Sequence, residues 1–182
     1  VDNASFREVV ETLTDLYGKK IAPFYQPIRE NEKFVGYINV MKMAGRRFTG
    51  IGTREDCEIP DYCKPNLDIY REAMMDAVAE TSEEFMERYF AGEEFSVGEI
   101  RAAMKMNVDD GSIVPVSMGS SILVQGIYTL LDDIVKYLPS PEKRPCKGVN
   151  LKTNEAFEGD YDIGKPKSAY IFKTIVDPFI GK

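Results

Sequence analysis

Apolar residues recur every three or four positions in several stretches of the chain, which is the spacing of one face of a helix. This pattern predicts helices over Ser5–Tyr17 and Leu67–Ala79, from Thr81 to near Gly92, from Ser96 past Met104, and from Ile127 to Leu138. Ser5, Thr81 and Ser96 each precede a glutamate by three positions, a pairing typical of a helix N-terminus. Pro139 and Pro141 end the last helix, because proline has no backbone N–H to continue it.

Shorter apolar runs, rich in β-branched and aromatic residues, predict strands. The expected strands are Ile21–Tyr25, Phe34–Val40, Lys42–Phe48, Ser112–Ser117 and Ala169–Val176. Ser112–Ser117 is nearly continuously apolar, which favours a strand buried on both faces of a parallel sheet. Gly50–Pro65 is rich in turn-forming residues and is expected to be a loop, and Ser140–Lys167 has the composition of an interdomain linker. Together the elements predict an α/β fold.

Length and composition fit one ordinary hydrophobic core or two small ones, since the chain has 182 residues of which 43% are hydrophobic. The formal net charge of −7 disfavours a broad surface for nucleic-acid phosphates. No stretch has the apolar length of a membrane span. The start at Val1 resembles neither a signal peptide nor a natural methionine start. Together with Ala169–Val176, a strand without a later partner, this start suggests a piece of a longer protein.

Few residues offer catalytic or metal-binding chemistry. The chain has three cysteines, Cys57, Cys63 and Cys146, and no histidine, which disfavours a disulfide framework, a zinc site and a histidine-dependent triad. Gly159–Lys165 fits the start of a phosphate-binding loop, but Pro166 replaces the hydroxyl residue that would bind magnesium. We therefore expect no catalytic and no metal-binding residue in this chain, and the sparse cysteines indicate a cytoplasmic protein.

The loop Met118–Ile122 joins the apolar strand to the best-defined helix. In open α/β sheets, ligands bind beyond the carboxyl ends of the strands. Small residues such as Gly119 let backbone N–H groups come close to a ligand. On these residues alone, the loop is either a ligand contact or a simple turn.

Four segments resemble the elongation factor G family of translational GTPases. Ile113–Val116 followed by Gly119-Ser120 is similar to the last strand and the guanine-specificity loop of the family's GTPase domain. The helix ending Tyr137–Pro141 is highly characteristic of the family. Ala77–Glu94 resembles the family's G′ insert, and Ala169–Gly181 resembles the first strand of its second domain, a β-barrel.

The resemblance implies a specific fold: the C-terminal part of a P-loop GTPase domain, with an inserted α+β G′ subdomain, followed by the first strand of a β-barrel domain. The implied boundaries are 1–26 for the GTPase part after the family's Asn-Lys-x-Asp motif, 27–108 for the G′ insert, 109–141 for the end of the GTPase domain, and 142–182 for the linker and the start of the barrel. The phosphate-binding loop, the magnesium-binding switch residues and the catalytic histidine of the family would lie before Val1.

The resemblance also implies a nucleotide site and a function. Backbone N–H groups of Ser120, Ser121 and Ile122 would donate to O6 of guanine, an acceptor that adenine lacks. The lysine and asparagine that usually follow this loop in the family are replaced here by the run 123–125. The parent protein is implied to bind GTP or GDP with magnesium, and to hydrolyse GTP on the ribosome in the cytoplasm. Hydrolysis would be coupled to the movement of tRNA and mRNA, with ribosomal RNA and the ribosomal stalk protein as partners.

The chain by itself is expected neither to hydrolyse GTP nor to bind it tightly, because phosphoryl transfer needs phosphate clamps and magnesium that these residues do not supply. No cofactor is therefore expected on the isolated chain. The alternatives are a ribosome-protection protein, a release-factor GTPase, or a nucleotide-free module that docks on the ribosome. An intact phosphate-binding loop and switch histidine in the preceding sequence would exclude the last of these.

Overall fold

The first part of the chain begins with one helix and a run of five strands, followed by three helices, one strand and a last helix. The computed structural model describes residues 5–143, 146–159, 161–164, 169 and 171–176, and the chain divides into two units, Val1–Leu138 and Pro139–Lys182. The first unit contains helices α1 (Phe6–Tyr17), α2 (Lys64–Ala79), α3 (Glu83–Phe90), α4 (Val97–Asp110) and α5 (Ile127–Tyr137), and strands β1 (Ile21–Pro23), β2 (Tyr25–Glu30), β3 (Lys33–Asn39), β4 (Ala44–Gly50), β5 (Thr53–Cys57) and β6 (Val114–Val116). The predicted mixed α/β class is confirmed.

The two sheets of this unit meet at a single residue. Strands β2 to β5 form an antiparallel sheet in sequential order, and β1 pairs in parallel with β6, with Ile21 opposite Val114. Phe24 links the two sheets, because its N–H donates to the Val116 carbonyl at 3.0 Å and its carbonyl accepts from the Val40 N–H at 3.1 Å. Its side chain is only 3% exposed, so this link lies within the core.

The core is built mainly by the antiparallel sheet with helices α2 and α4. Its largest fully buried side chains are Ile38, Val40, Cys63, Leu67, Met74, Val78, Ile100 and Met104. Burying one large aliphatic side chain contributes roughly 1.5–3 kcal/mol.

At the start of α4, Ser96 and Glu99 form a capping box, and Arg88 donates to the Glu99 carboxylate at 2.6 Å. Hydrogen bonds from Arg88 and then from Ser96 lower the pKa of Glu99 to about 2.

Helix starts follow the predicted caps with one exception. The hydroxyl oxygens of Ser5 and Ser96 accept backbone N–H groups of α1 and α4, as predicted. The predicted cap Thr81 is wrong, because Ser82 caps α3 by accepting a backbone N–H at 3.2 Å. The Thr81 hydroxyl instead donates to the Val78 carbonyl at 2.6 Å, so Thr81 completes the end of α2.

Three expectations about strands are wrong in this unit. No strand is predicted over 26–30, where most of β2 lies. The expected loop Gly50–Pro65 contains β5, which pairs with β4. Most β5 side chains are exposed, so the strand lacks the apolar alternation that would have revealed it. The expected burial of β6 on both faces also fails, since Val114 is 41% exposed. Among the described residues, β6 has only β1 as a neighbour.

The second unit contains a β-hairpin where the sequence predicted a linker. β7 (Cys146–Val149) pairs antiparallel with β8 (Ala156–Gly159), and Asn154 in the connecting turn has a φ of 59°. The predicted strand Ala169–Val176 is wrong over its described residues, 169 and 171–176, which have no regular secondary structure and are exposed. Apolar composition alone does not make a strand, and no partner among the described residues offers this segment the backbone hydrogen bonds of a sheet. Residues 170 and 177–181 of the expected barrel strand lie outside the described residues.

Candidate functional site

The loop between β6 and α5 closes on itself through its backbone. Ser120 and Gln125 exchange two hydrogen bonds, with N–H to carbonyl distances of 2.8 Å from Ser120 and 3.1 Å from Gln125. The Leu123 N–H donates to the Ser120 hydroxyl oxygen at 3.3 Å, and the Val124 N–H donates to the Ser121 carbonyl at 3.4 Å. Val124 has a φ of 54°, which a β-branched residue adopts only under strain. The loop therefore has a defined shape.

Two glycines allow the backbone at the two ends of this loop to come into close contact. A Cβ on Gly126 would lie 2.6 Å from the Met118 carbonyl oxygen, and a Cβ on Gly119 would lie 2.7 Å from the Gln125 carbonyl oxygen. Gly126 also has a φ of 81°, which glycine adopts without a steric penalty. The close crossing of backbone thus depends on these two positions.

The predicted site residues differ in what their backbones offer. Ser120 uses its N–H inside the loop, in the hydrogen bond to Gln125. The N–H groups of Ser121 and Ile122 donate to no acceptor within the described part of the chain. The Ile122 side chain is 92% exposed. The loop therefore presents two adjacent backbone donors, and the assignment of all three residues to a nucleotide stays a prediction.

The loop borders an apolar cleft of about 840 Å³, whose lining includes Gly119 and Ser121. Helices α1 and α5 and strands β1 and β6 supply most of the remaining lining, through apolar side chains such as Leu13, Ile21, Val116, Leu130, Ile134 and Leu138. The apolar stripe predicted on α5 faces this open space, because Leu130 and Ile134 are 42% and 43% exposed.

The buried face of α5 is polar. Thr129, Asp133 and Tyr137 follow one another at four-residue spacing and are each less than a tenth exposed. The Tyr25 hydroxyl donates to Oδ1 of Asp133 at 2.9 Å, and the Thr129 hydroxyl donates to the Tyr37 hydroxyl at 3.4 Å. Burial raises the pKa of Asp133, while burial and the neighbouring Asp133 raise the pKa of Tyr25. Asp133 is not among the predicted site residues, although its four-residue spacing from Thr129 and Tyr137 is a signal present in the sequence.

The described residues offer neither a metal centre nor a membrane span. Within them, no group of three or more His, Cys, Asp or Glu side chains is arranged to hold a metal ion. None of their helices combines the length and the hydropathy of a bilayer-spanning segment.

Comparison with known proteins gives a clear relative. No protein-family model matches the chain. The chain is 36% identical over 182 residues to elongation factor G from Thermotoga neapolitana, in an alignment that covers 98% of this chain and 26% of the relative. A crystal structure of a protein from Thermus thermophilus superposes with a TM-score of 0.69 and 28% identity, covering 79% of this chain and 22% of that one.

The α/β fold and the sequence similarity together show a chain that resembles part of a translation factor. The predicted resemblance to elongation factor G is confirmed, and it runs along nearly the whole chain. The chain spans about a quarter of the length of this relative.

Proposed function

We propose that this chain is the guanine-reading part of a ribosome-dependent GTPase that promotes the movement of tRNA and mRNA during elongation. The observation that carries the proposal is the pair of backbone donors at Ser121 and Ile122, in a loop whose two ends approach closely at Gly119 and Gly126. The similarity to elongation factor G supports the parent's role in translation.

The chemistry of the loop favours guanine over adenine. Two backbone N–H groups can donate to the carbonyl oxygen O6 of guanine, whereas adenine presents an amino donor at that position. A donor left facing another donor costs roughly 1–3 kcal/mol, so the loop would disfavour adenine by about tenfold or more. Because main-chain groups do the reading, the serine at 121 in place of the family's alanine does not remove it.

The topology supports the proposed domain boundaries. Strands β1 and β6 are direct neighbours in one parallel pair, yet the antiparallel sheet and helices α2 to α4 lie between them in sequence. Such a long excursion between paired strands is what an inserted subdomain produces. We assign 1–26 and 109–141 to the GTPase domain, 27–108 to the G′ insert, and 142–182 to the linker and the start of the barrel domain.

The proposed site is one half of a nucleotide site. The loop fits the base, but the described residues include no group suited to magnesium, and no phosphate-binding loop occurs in the sequence. Hydrolysis of GTP would therefore depend on other parts of the parent protein, which would hold the phosphates and magnesium. We expect calorimetry of the isolated chain with GTP to show no micromolar binding.

The G′ insert is proposed to contact the ribosomal stalk protein. Helices α2 and α3 expose large apolar side chains, with Ile69 62% and Phe90 79% exposed, and exposed aromatic residues are common at protein interfaces. Substituting Ile69 and Phe90 by alanine should weaken stalk-protein binding, measured by calorimetry, whereas Glu158→Ala in the second unit should not. Unchanged binding by the double variant contradicts this assignment.

A chimaera tests the proposed function directly. The matching segment of Thermotoga neapolitana elongation factor G is replaced by this chain, and GTP hydrolysis is measured with and without ribosomes. We expect ribosome-stimulated hydrolysis, because the loop and the insert would supply their parts of the machinery. A folded chimaera that binds GTP but gains nothing from ribosomes would refute the ribosomal role, and one that binds ribosomes without nucleotide would favour the docking-module alternative.

A further inference from the structure

A second pocket, of about 120 Å³, lies between α5, α4 and the antiparallel sheet. We call it the α5 pocket, and its cationic lining consists of Lys42, Arg46, Arg54, Arg101 and Lys136. A water molecule takes up about 30 Å³ in the liquid, so the pocket has room for about four waters or one small tetrahedral ion. Its charged lining contrasts with the apolar cleft beside the guanine loop.

The cations of the α5 pocket outnumber the carboxylates available to them. Arg46 pairs with Asp56, and Lys136 lies 3.9 Å from Asp132. The remaining cations form no ion pair within the described residues: Lys42, Arg54 and Arg101. In a chain with a net charge of −7, this local surplus of positive charge favours an anion.

Asp133 lines the α5 pocket as well as the apolar cleft, and one of its carboxylate oxygens lacks a donor. Its Oδ1 accepts from Tyr25, whereas its Oδ2 is fully buried and has no hydrogen-bond partner. Arg54 donates to the Thr129 hydroxyl at 3.3 Å and has no hydrogen bond to Oδ2. Buried polar atoms are almost always paired, so an occupant of the pocket should donate one hydrogen bond to Oδ2 while accepting from the cations.

We propose that the α5 pocket binds hydrogen phosphate, a role independent of the guanine loop. At neutral pH, inorganic phosphate keeps at least one proton, which one oxygen donates to Oδ2 of Asp133. The other oxygens accept from Lys42, Arg54 and Arg101. Sulfate has the same shape but no proton at neutral pH, so one of its oxygens would face the carboxylate and be repelled. The phosphodiesters of nucleic acids and the carboxylates of proteins also lack that proton.

The test is calorimetric titration of the full chain at neutral pH with sodium phosphate, and with sodium sulfate at matched ionic strength. We expect saturable binding of one phosphate per chain, and sulfate binding at least about tenfold weaker, the effect of one unfavourable charged contact. Equal binding of the two ions, or no saturable binding of phosphate, overturns the proposal.

Variants locate the site. Lys42→Gln and Arg54→Gln should each weaken phosphate binding about tenfold, because each removes one charge-assisted hydrogen bond. Arg7→Gln, a substitution of an exposed cation on α1 outside the pocket, is the matched control and should leave phosphate binding unchanged. Equal weakening by Arg7→Gln and Lys42→Gln would mean that phosphate responds only to overall charge, and would overturn the proposal.

A last variant tests the acceptor. Asp133→Asn keeps an oxygen for the Tyr25 hydroxyl but removes the negative charge, so we expect it to lose the preference for phosphate over sulfate. Circular dichroism checks that this variant is folded. A folded Asp133→Asn that still prefers phosphate as strongly as the original chain contradicts the role given to Asp133. If the variant does not fold, the comparison of phosphate with sulfate and the effect of Lys42→Gln still test whether the α5 pocket binds phosphate.

Discussion

Replacing Gly126 by alanine tests whether the loop between β6 and α5, proposed to read guanine, depends on the close approach of its two ends. At a φ of 81°, an alanine would be placed in the left-handed region at a cost of about 1–2 kcal/mol. Its Cβ would also lie 2.6 Å from the Met118 carbonyl oxygen and 3.1 Å from Gly119 Cα. Both are backbone atoms, so the loop itself must shift, and overpacking of this kind costs about 1–3 kcal/mol. We expect the free energy of unfolding to fall by about 3 kcal/mol in total.

Gly111→Ala is the matched control for Gly126→Ala. Gly111 has a similar φ of 83°, but nothing lies within 4 Å of the position that a Cβ would take there, so only the backbone penalty of about 1–2 kcal/mol applies. The assay is urea unfolding followed by far-UV circular dichroism, because the chain has no tryptophan for fluorescence. Equal losses of stability in the two variants would refute the close crossing of the loop ends.

Three further substitutions test the fold by the same urea assay. Ser82→Ala should lower the free energy of unfolding by about 1 kcal/mol through loss of the α3 cap, and Thr81→Ala should cost less; the reverse order contradicts the assigned cap. Leu67→Ala should lower the free energy of unfolding by about 2–5 kcal/mol, because Leu67 is only 1% exposed. Ile69 lies in the same helix but is 62% exposed, so Ile69→Ala should lower it by about 0.5 kcal/mol or less. Similar losses in the two variants would place Leu67 outside the core. The pKa of Glu99 in the folded chain is about 2, below the usual value of about 4.3, so its stabilising effect is present above about pH 4.3 and is lost as the pH falls towards 2. Glu99→Gln should therefore lower the urea midpoint at pH 6 but hardly at pH 2, and an equal loss at both would contradict the lowered pKa.

Local signals made much of the fold predictable. Helix caps act over three residues, so Ser5 and Ser96 could be recognised without knowledge of the tertiary structure. Thr81 was misassigned because a threonine and a serine stand side by side, and only the end of α2 decides which one caps α3. Strand β5 was missed because an edge strand with exposed side chains has no apolar periodicity.

The candidate site was predictable only in part. The Gly-Ser loop could be located because Gly119 and Gly126 stand near its two ends. The family resemblance then suggested guanine as its ligand. The engagement of the Ser120 N–H by Gln125 could not be foreseen, because it depends on how the loop folds back. The polar face of α5 was also hidden, since the apolar stripe of that helix dominates its pattern while its burial is set by partners such as Tyr25 and Tyr37, distant in sequence.

The central claim is that backbone N–H groups of this chain read guanine in a translational GTPase. The most direct test measures GDP and ADP binding by the chimaera with Thermotoga neapolitana elongation factor G, comparing Ser121→Pro with Ser121→Ala. Proline removes the N–H at this position, whereas alanine keeps it. We predict that the unaltered chimaera and Ser121→Ala bind GDP and discriminate strongly against ADP, and that Ser121→Pro loses about tenfold or more in GDP affinity. A folded Ser121→Pro variant with unchanged GDP affinity and unchanged discrimination would contradict the claim.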